Sequence, residues 1–508
     1  MQLSLLDGIA FAAFILLVVG VSLYASRREE GSEDYFLAGR NLTWWLIGIS
    51  LIASNISTEH FIGMAGAGYG AAGLAIASYE WIAAISLVVV GLALIPLFLR
   101  IGIYTMPEFL EHRFGHQART VMAVYMMVAY VVVAVAGVLY SGAIGLKTVF
   151  GLDMTVGIWL IGILAGGYTI YGGLKAVVWS DLIQGSALLI GGTIVAWIAL
   201  QQVGGLGEFL AANDDKLHMV LPADHPDIPW TALLLGIWIP NFFYWGFNQF
   251  ITQRTLGARS LKAAQNGIML AAGLKLLIPF IVVFPGIIAL QLFADKIGSG
   301  DQAYAVLIQE LVPSGFRGIM FAALFGAIMS SLDSMLNSAS TIFTMDIFKR
   351  YWKPDAGPKD LVRIGRWATA ACVLAGIMLA PLPGRFEGVY RYMQMIWGFI
   401  SPAITAVFVF GIAFRKAPLA AGMAGLLLGP VIYGLLLVFA PGIAFLNHMA
   451  ITFISLIIVM SLITLVRPLA EPVTFRSQPP IDMTPSRYAK GMGAGVVVAT
   501  VLLYVVFW

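Results

Sequence analysis

Residues 42–70 read LTWWLIGISLIASNISTEHFIGMAGAGYG. The stretch is apolar and long enough to cross a bilayer, which takes roughly 20 residues. Its polar cluster, Ser54 to His60, begins about eleven residues in, roughly 16 Å along a helix and half of the 30 Å hydrocarbon core. Irregular polar backbone at that depth is tolerated only where it is buried in protein or lines a cavity. The stretch therefore predicts a broken transmembrane helix beside a binding site.

A second apolar stretch carries helix-breaking residues at a matching depth. Residues 230–250 read WTALLLGIWIPNFFYWGFNQF, and Pro240 lies roughly 15 Å along the helix that they would form. Proline removes a backbone donor, so we expect the helix to break there, with Asn241 and Asn248 following. The two breaks lie five predicted spans apart, so the second unit enters the membrane from the opposite side. That layout predicts an inverted-repeat transporter with its site near the midplane.

The composition excludes most other classes of protein. The chain has 508 residues, of which 60% are hydrophobic and 11% are charged, against about 25% charged in a soluble domain. These values exclude a soluble globular protein, a disordered chain and a nucleic-acid binder. The long apolar runs differ from the alternating segments of a β-barrel. We predict an all-α polytopic membrane protein with about fourteen transmembrane helices, embedded in the lipid bilayer.

The distribution of the few charges predicts the orientation. Of the 29 Lys and Arg residues, 22 lie in loops after odd-numbered spans and five in the loops on the other side. Because cytoplasmic loops are enriched in basic residues, both termini are predicted to be extracellular or periplasmic, in a plasma or inner membrane. We predict a first span with a cytoplasmic loop, a first inverted repeat, an outer loop, a second repeat and three peripheral spans, at residues 1–41, 42–203, 204–229, 230–413 and 414–508.

Ionisable residues inside the spans, among them Glu59, need a reason, since each costs roughly 2.5–3.5 kcal/mol on insertion scales. Lys275 lies mid-span in IMLAAGLKLLIPFI, too deep to reach the interface easily. Glu80 lies in ASYEWIAA, and His60 follows the first break. Asp181 begins a span and is either interfacial or functional. Lys275 therefore predicts either a ligand contact or a buried partner.

Residues 325–340 read FGAIMSSLDSMLNSAS and carry a polar stripe. Ser330, Ser334 and Ser338 recur at helical spacing and share one face, with Asp333 inside the run. Small residues at this spacing also serve close helix packing, so the stripe alone does not decide between packing and an ion site. Hydroxyls combined with carbonyls from the first break would suit a hard cation such as Na⁺.

Amide and aromatic residues cluster near the breaks. Tyr244, Trp245 and Asn248 follow Pro240, and Gln394 lies mid-span in YRYMQMIW. An uncharged polyol would be held by many hydrogen bonds, with one aromatic ring against its apolar face. Inositol, a sugar acid or an amino acid are alternatives. No HExxH or GxSxG motif indicates an enzyme, and the asymmetric polar set is unlike the repeated ring of a channel.

Five motifs together resemble the sodium/solute symporter family, and most closely its sodium–glucose/galactose cotransporters. The motifs are IASNISTEHFIGMAGAG, ASYEW, YGGLKAVVWSDLIQ, WIPNFFYWGFNQFITQRTL and AIMSSLDSMLNSASTIFTMDIF. The resemblance covers about residues 1–465. It implies a LeuT-like core of five plus five helices with two broken helices, and Na⁺-coupled hexose symport by alternating access. It implies no cofactor besides the transported Na⁺, and we expect the monomer to be functional.

The resemblance also implies roles for particular residues. The substrate site would comprise Asn55, His60, Glu80, Asn241, Tyr244, Trp245, Lys275 and Gln394. The outer gate would comprise Met64, Tyr79 and Tyr390, and Tyr244 would close the site from the cytoplasm. Na⁺ would bind the carbonyls of Ala53, Ile56 and Ala327 with the hydroxyls of Ser330 and Ser331. A second sodium site seen in some members would comprise Asp181, Ser330, Asp333 and Ser334, with Asp333 replacing a neutral residue.

Overall fold

The computed structural model describes residues 4–27, 31–57, 59–385, 389–475 and 477–508. Within these ranges all regular secondary structure is helical, and the only β-type contacts are three isolated bridges. The first half contains α1 Leu5–Ser26, α2 Ser32–Leu37, α3 Trp44–Asn55, α4 Ala65–Tyr69, α5 Ser78–Val89, α6 Ile95–Ile101, α7 Met106–Phe114, α8 His116–Val128, α9 Ala136–Phe150, α10 Met154–Gln202 and α11 Leu206–Ala212.

The second half contains ten further α-helices: α12 Trp238–Phe242, α13 Gln249–Leu256, α14 Leu261–Phe293, α15 Ala303–Leu311, α16 Phe316–Ile342, α17 Pro358–Leu379, α18 Val389–Ala413, α19 Leu419–Phe439, α20 Phe445–Val466 and α21 Ala489–Val506. Wider π-helical turns adjoin several of them, at Glu59–Met64, Val90–Leu94, Ala129–Val135, Ala232–Gly236, Phe243–Phe247 and Phe343–Trp352. Short 3₁₀ turns lie at Ala38–Arg40, Gly73–Ala77, Asp214–Lys216, Gly300–Gln302 and Leu382–Arg385.

Eleven helical segments of the described chain are long and apolar enough to cross a membrane. One of them, α10, has 49 residues and would measure about 73 Å if straight, more than twice the hydrocarbon core. It bends at Gly173, where φ is 49° and ψ is −148°. A Cβ there would lie 2.3 Å from the carbonyl oxygen of Tyr35, so only glycine fits. The predicted number of fourteen spans stays a prediction.

The first predicted break is present at the expected place. Helix α3 ends at Asn55, and Ile56 is extended with φ −72° and ψ 107°. A π-helical turn then leads from Glu59 into α4. The helix that enters the membrane at Trp44 is therefore interrupted near its middle, as its polar cluster predicts.

The second break lies eight residues beyond its predicted position at Pro240. Pro240 belongs to α12. The π-helical turn Ala232–Gly236 precedes it, and this wider turn accommodates a proline that cannot donate a backbone hydrogen bond. The chain leaves the helical conformation at Asn248, with φ −87° and ψ 125°, immediately before α13. The prediction that proline itself breaks this helix was wrong, because the wider turn absorbs it.

Three long helices enclose the broken helix α3. It contacts α10, α14 and α16, and α10 and α16 pack extensively against each other. The residues of α16 from Met320 to Ile342 are almost all buried, including its serines. This packing places the break of α3 in the interior of the bundle.

Candidate functional site

A cavity of about 130 Å³ lies between the two breaks. Nine of the predicted substrate and gate residues line it: Asn55, His60, Met64, Tyr79, Glu80, Asn241, Tyr244, Trp245 and Lys275. They come from both halves of the chain, chiefly from α3, α5, α14 and the segments around α12. The side chains of Tyr390 and Gln394 lie outside the described residues. The two breaks thus border one cavity, although most of its residues are far apart in sequence.

Lys275 and Glu80 form a buried ion pair in the cavity wall. Lys275 Nζ lies 2.5 Å from Glu80 Oε2, and the two side chains are only 1% and 4% exposed. Lys275 Nζ also donates to Asn55 Oδ1. The mid-span lysine therefore has a buried partner, which is one of the two explanations that its depth predicts. The pair carries no net charge.

His60 joins this network in a defined tautomer. Its Nδ1 accepts a hydrogen bond from the Ser57 backbone N–H at 3.4 Å. The ring proton therefore lies on Nε2, which faces Glu80 Oε1 at 3.2 Å and donates to it. With a neutral His60, the polar wall formed by His60, Glu80, Lys275 and Asn55 is neutral overall. It offers both donors and acceptors to a ligand.

Aromatic rings form the opposite part of the lining. The Tyr244 hydroxyl accepts a hydrogen bond from Asn55 Nδ2 at 3.1 Å, which links the two broken helices directly. The Tyr244 and Trp245 rings have centroids 5.1 Å apart and meet edge to face. Lys275 Nζ lies 5.0 Å from the centroid of the Trp245 ring. Tyr244 is therefore hydrogen-bonded to the end of the first broken helix while it belongs to the second.

The predicted sodium ligands lie where α3 meets α16. Ser331 Oγ donates to the Ser54 carbonyl at 3.4 Å, which joins the two helices beside the cavity. Ser330 Oγ points instead to Asp181 Oδ1 at 2.5 Å. The carbonyls of α3 lack their usual partners where the helix ends at Asn55. Hydroxyl and carbonyl oxygens at a broken helix suit Na⁺, and Ala53, Ile56 and Ala327 are buried residues close in sequence to Ser54 and Ser331.

Two of the four residues of the predicted second sodium site, Asp181 and Ser334, contact a guanidinium group. Arg254 of α13 is buried, and its Nη2 lies 3.0 Å from Asp181 Oδ2 and 2.5 Å from Ser334 Oγ. Asp333 accepts from the Tyr168 hydroxyl at 2.5 Å and from Ser334 Oγ at 3.2 Å. The four predicted residues do lie together. The cation that contacts Asp181 in this arrangement is Arg254.

Sequence reasoning missed Arg254, because it counted this residue among the basic residues of a cytoplasmic loop. The structure buries its side chain to 1% exposure. The need of Asp181 for a partner was the signal that could have found it. Phe250 and Ser401 also line the cavity without having been predicted.

An all-helical bundle with two broken helices, a neutral polar cavity and an adjoining oxygen-lined contact defines a Na⁺-coupled secondary transporter. The model of the Sodium:solute symporter family matches residues 35–429, and the chain belongs to this family. It is 39% identical to the sodium/glucose cotransporter of Vibrio parahaemolyticus, over 100% of this chain and 99% of that one. It is 34% identical to sodium/myo-inositol cotransporter 2 of Mus musculus, over 82% of this chain and 67% of that one.

A solved structure shares the fold. A Na⁺-coupled sialic acid symporter in a substrate-bound, outward-open state superposes with a TM-score of 0.83 and 22% identity, covering 93% of this chain and all of that one. The chain is thus a multi-pass membrane symporter with the LeuT-like fold, and Na⁺ is its coupling ion. It is a transporter and not an enzyme.

Proposed function

We propose that this symporter imports an uncharged hexose, glucose or galactose, together with Na⁺ by alternating access. The observation that carries the proposal is the pairing of Lys275 with Glu80 inside the cavity. Because this ion pair is internally balanced, a neutral substrate can bind without leaving an uncompensated charge. A hexose also presents many hydroxyl groups, and the cavity wall offers both donors and acceptors.

An acidic substrate fits this wall less well. A carboxylate would have to compete with Glu80 for Lys275 Nζ, and it would leave one of two negative charges unpaired in a buried site. An amino acid would also require a helix N-terminus to bind its carboxylate. These arguments disfavour a sugar acid or an amino acid as the main substrate.

We propose the following roles for the individual residues. Asn55, His60, Glu80, Asn241 and Lys275 would bind hydroxyl groups, and Trp245 would offer its ring to the apolar face of the sugar. Tyr244 would close the cavity toward the cytoplasm. Met64, Tyr79, Tyr390 and Gln394 complete the proposed gates and site.

Coupling would run through α3, which belongs to both sites. The proposed Na⁺ ligands Ala53 and Ile56 flank Asn55, which faces the cavity. Binding of Na⁺ would order this break and so prepare the sugar site. The repeats at residues 42–203 and 230–413 would then rock around the cavity, with both termini extracellular or periplasmic. Because the cavity is built within one chain, we propose that the monomer is sufficient.

The driving force is large enough for accumulation. A membrane potential of 100 mV supplies about 2.3 kcal/mol per charge, and a tenfold Na⁺ gradient adds about 1.4 kcal/mol. One Na⁺ per sugar would therefore support roughly several hundredfold accumulation. We propose this ratio because Arg254 already contacts Asp181, so a second Na⁺ there would have to displace it. The second sodium site at Asp181, Ser330, Asp333 and Ser334 is the alternative.

A second candidate substrate is myo-inositol. It is also an uncharged polyol, and the mouse relative that is 34% identical is a sodium/myo-inositol cotransporter. Uptake of labelled glucose, galactose and myo-inositol into proteoliposomes, each with inward Na⁺, Li⁺ or H⁺ gradients, distinguishes the candidates. We expect Na⁺-driven uptake of a hexose. Na⁺-driven uptake of myo-inositol alone, or of neither, would contradict the proposal.

A further inference from the structure

A groove of about 400 Å³ runs between α14 and α21 on the surface of the helix bundle. Its lining is apolar and includes Met269 and Leu276 of α14 and Met492 and Val496 of α21. Gly273 and Gly495 also border it, and a Cβ added to Gly495 would meet no atom within 4 Å. The helices around this groove therefore leave room for an apolar chain.

One end of the groove is basic. The segment before α21 is fixed to the start of α14, because the Leu261 N–H donates to the Asp482 carbonyl at 2.9 Å and the Ser486 N–H donates to Gln265 Oε1 at 2.9 Å. These contacts bring the charged residues of the two segments to one end of the groove. They are exposed and carry a net charge of +3: Arg259, Lys262, Asp482, Arg487 and Lys490.

The length of the groove matches one leaflet of a bilayer. From Lys262 to Leu276, α14 rises about 21 Å, which is half of the roughly 40–45 Å thickness of a bilayer with its headgroups. A phospholipid of one leaflet would therefore reach from the basic end to the end of the apolar lining. Neutral lipids would use the lining alone, whereas an anionic headgroup would also meet Lys262, which lies on the same face of α14 as Met269 and Leu276.

We propose that the groove between α14 and α21 binds one anionic phospholipid, with an acyl chain along the apolar lining and the phosphate at the basic end. Basic residues at the membrane surface beside a cleft between spans are a recurring arrangement for such lipids. The inference does not depend on which solute is transported, because no residue of the groove lines the substrate cavity.

The bound lipid would stabilise the helix that carries Lys275. Leu276 lines the groove, and its carbonyl accepts a hydrogen bond from Trp81 Nε1 at 3.3 Å. Trp81 and Leu276 are the direct neighbours of Glu80 and Lys275, which form the ion pair in the cavity. A lipid in the groove would therefore contact α14 next to Lys275 and stabilise that ion pair indirectly.

Native mass spectrometry of the purified full chain tests the proposal with two lipids that share acyl chains, phosphatidylglycerol and phosphatidylcholine. We expect phosphatidylglycerol to be retained at least about tenfold better, and each basic residue removed to lower its affinity about fivefold. Lys262→Gln tests the basic end. Gly495→Leu places a side chain in the groove at a position where an added Cβ meets no atom within 4 Å, and leucine favours the helix. Lys359→Gln, an exposed lysine on α17, is the matched control.

The proposal predicts that Lys262→Gln and Gly495→Leu each weaken retention of phosphatidylglycerol while Lys359→Gln does not. Equal retention of both lipids would overturn the headgroup contact. Unchanged lipid binding to Gly495→Leu would overturn the groove as the binding site. An equal loss of lipid binding in Lys359→Gln would show that the effect comes from nonspecific charge and would overturn the proposal. If one variant cannot be purified, the other still decides. Because the readout is lipid binding, it is independent of the proposed hexose.

Discussion

Replacing Lys275 with methionine would remove the ammonium group that balances Glu80 in the cavity wall. The two side chains are 1% and 4% exposed, and Nζ lies 2.5 Å from Oε2. Removing one partner of a buried ion pair leaves an uncompensated charge and costs about 3–5 kcal/mol. Asn55 also loses a donor to its Oδ1. We expect Lys275→Met to lower the unfolding temperature and to abolish Na⁺-driven sugar uptake.

The double variant Lys275→Met/Glu80→Gln separates charge balance from contact with the sugar. It removes both charges, and a neutral replacement for a buried ion pair is often close to neutral in stability. We therefore expect the double variant to recover most of the lost stability while uptake stays abolished. Thermal unfolding followed by tryptophan fluorescence and uptake into proteoliposomes provide the two readouts.

Lys296→Met is the matched control, because Lys296 forms an ion pair with Glu310 at 2.9 Å but is 48% exposed. Exposed pairs contribute little to stability, so this variant should unfold and transport like the wild type. The account of the cavity is refuted if Lys275→Met unfolds at the wild-type temperature and transports normally. It is also refuted if the double variant is no more stable than Lys275→Met.

Three further substitutions test other parts of the account. Tyr244→Phe removes the hydrogen bond that the Tyr244 hydroxyl accepts from Asn55, which is worth about 0.5–1.5 kcal/mol. This variant should lower sugar affinity about two- to tenfold in a tracer-binding assay. Unchanged sugar affinity would contradict the proposed closing role of Tyr244. Ser331→Ala should raise the half-saturating Na⁺ concentration roughly tenfold, whereas Ser340→Ala, which only loses a bond to a backbone carbonyl on α17, should not. Arg113 donates to three carbonyls around the end of α18, so Arg113→Ala should lower the unfolding temperature without changing sugar affinity.

Local sequence was sufficient to predict the first broken helix. The polar cluster after Ala53 lies at mid-depth in an apolar stretch. Irregular backbone at that depth is tolerated only where it is buried in protein or lines a cavity. The second break was placed wrongly, because Pro240 is accommodated by a π-helical turn and the chain leaves the helix only at Asn248. Whether a neighbouring turn can widen to accept a proline depends on packing that sequence spacing does not describe.

The partners of the buried charges could not be predicted from spacing. Glu80 and Lys275 were recognised separately as residues that the membrane should not contain, but their contact joins positions 195 residues apart. Arg254 was misread for the same reason. Its position beside a predicted loop indicated a cytoplasmic charge, whereas the fold packs α13 against α3 and α16 and buries the Arg254 guanidinium on Asp181 of α10. Long-range contacts of this kind require the three-dimensional arrangement.

The central claim, Na⁺-coupled import of a neutral hexose, is tested most directly by the steady-state accumulation of labelled galactose and glucose in proteoliposomes. With a tenfold inward Na⁺ gradient and no membrane potential, one Na⁺ per sugar predicts accumulation approaching about tenfold. A sodium ionophore should abolish it. Accumulation that survives the ionophore, or no accumulation of either hexose by protein that binds Na⁺, would contradict the account.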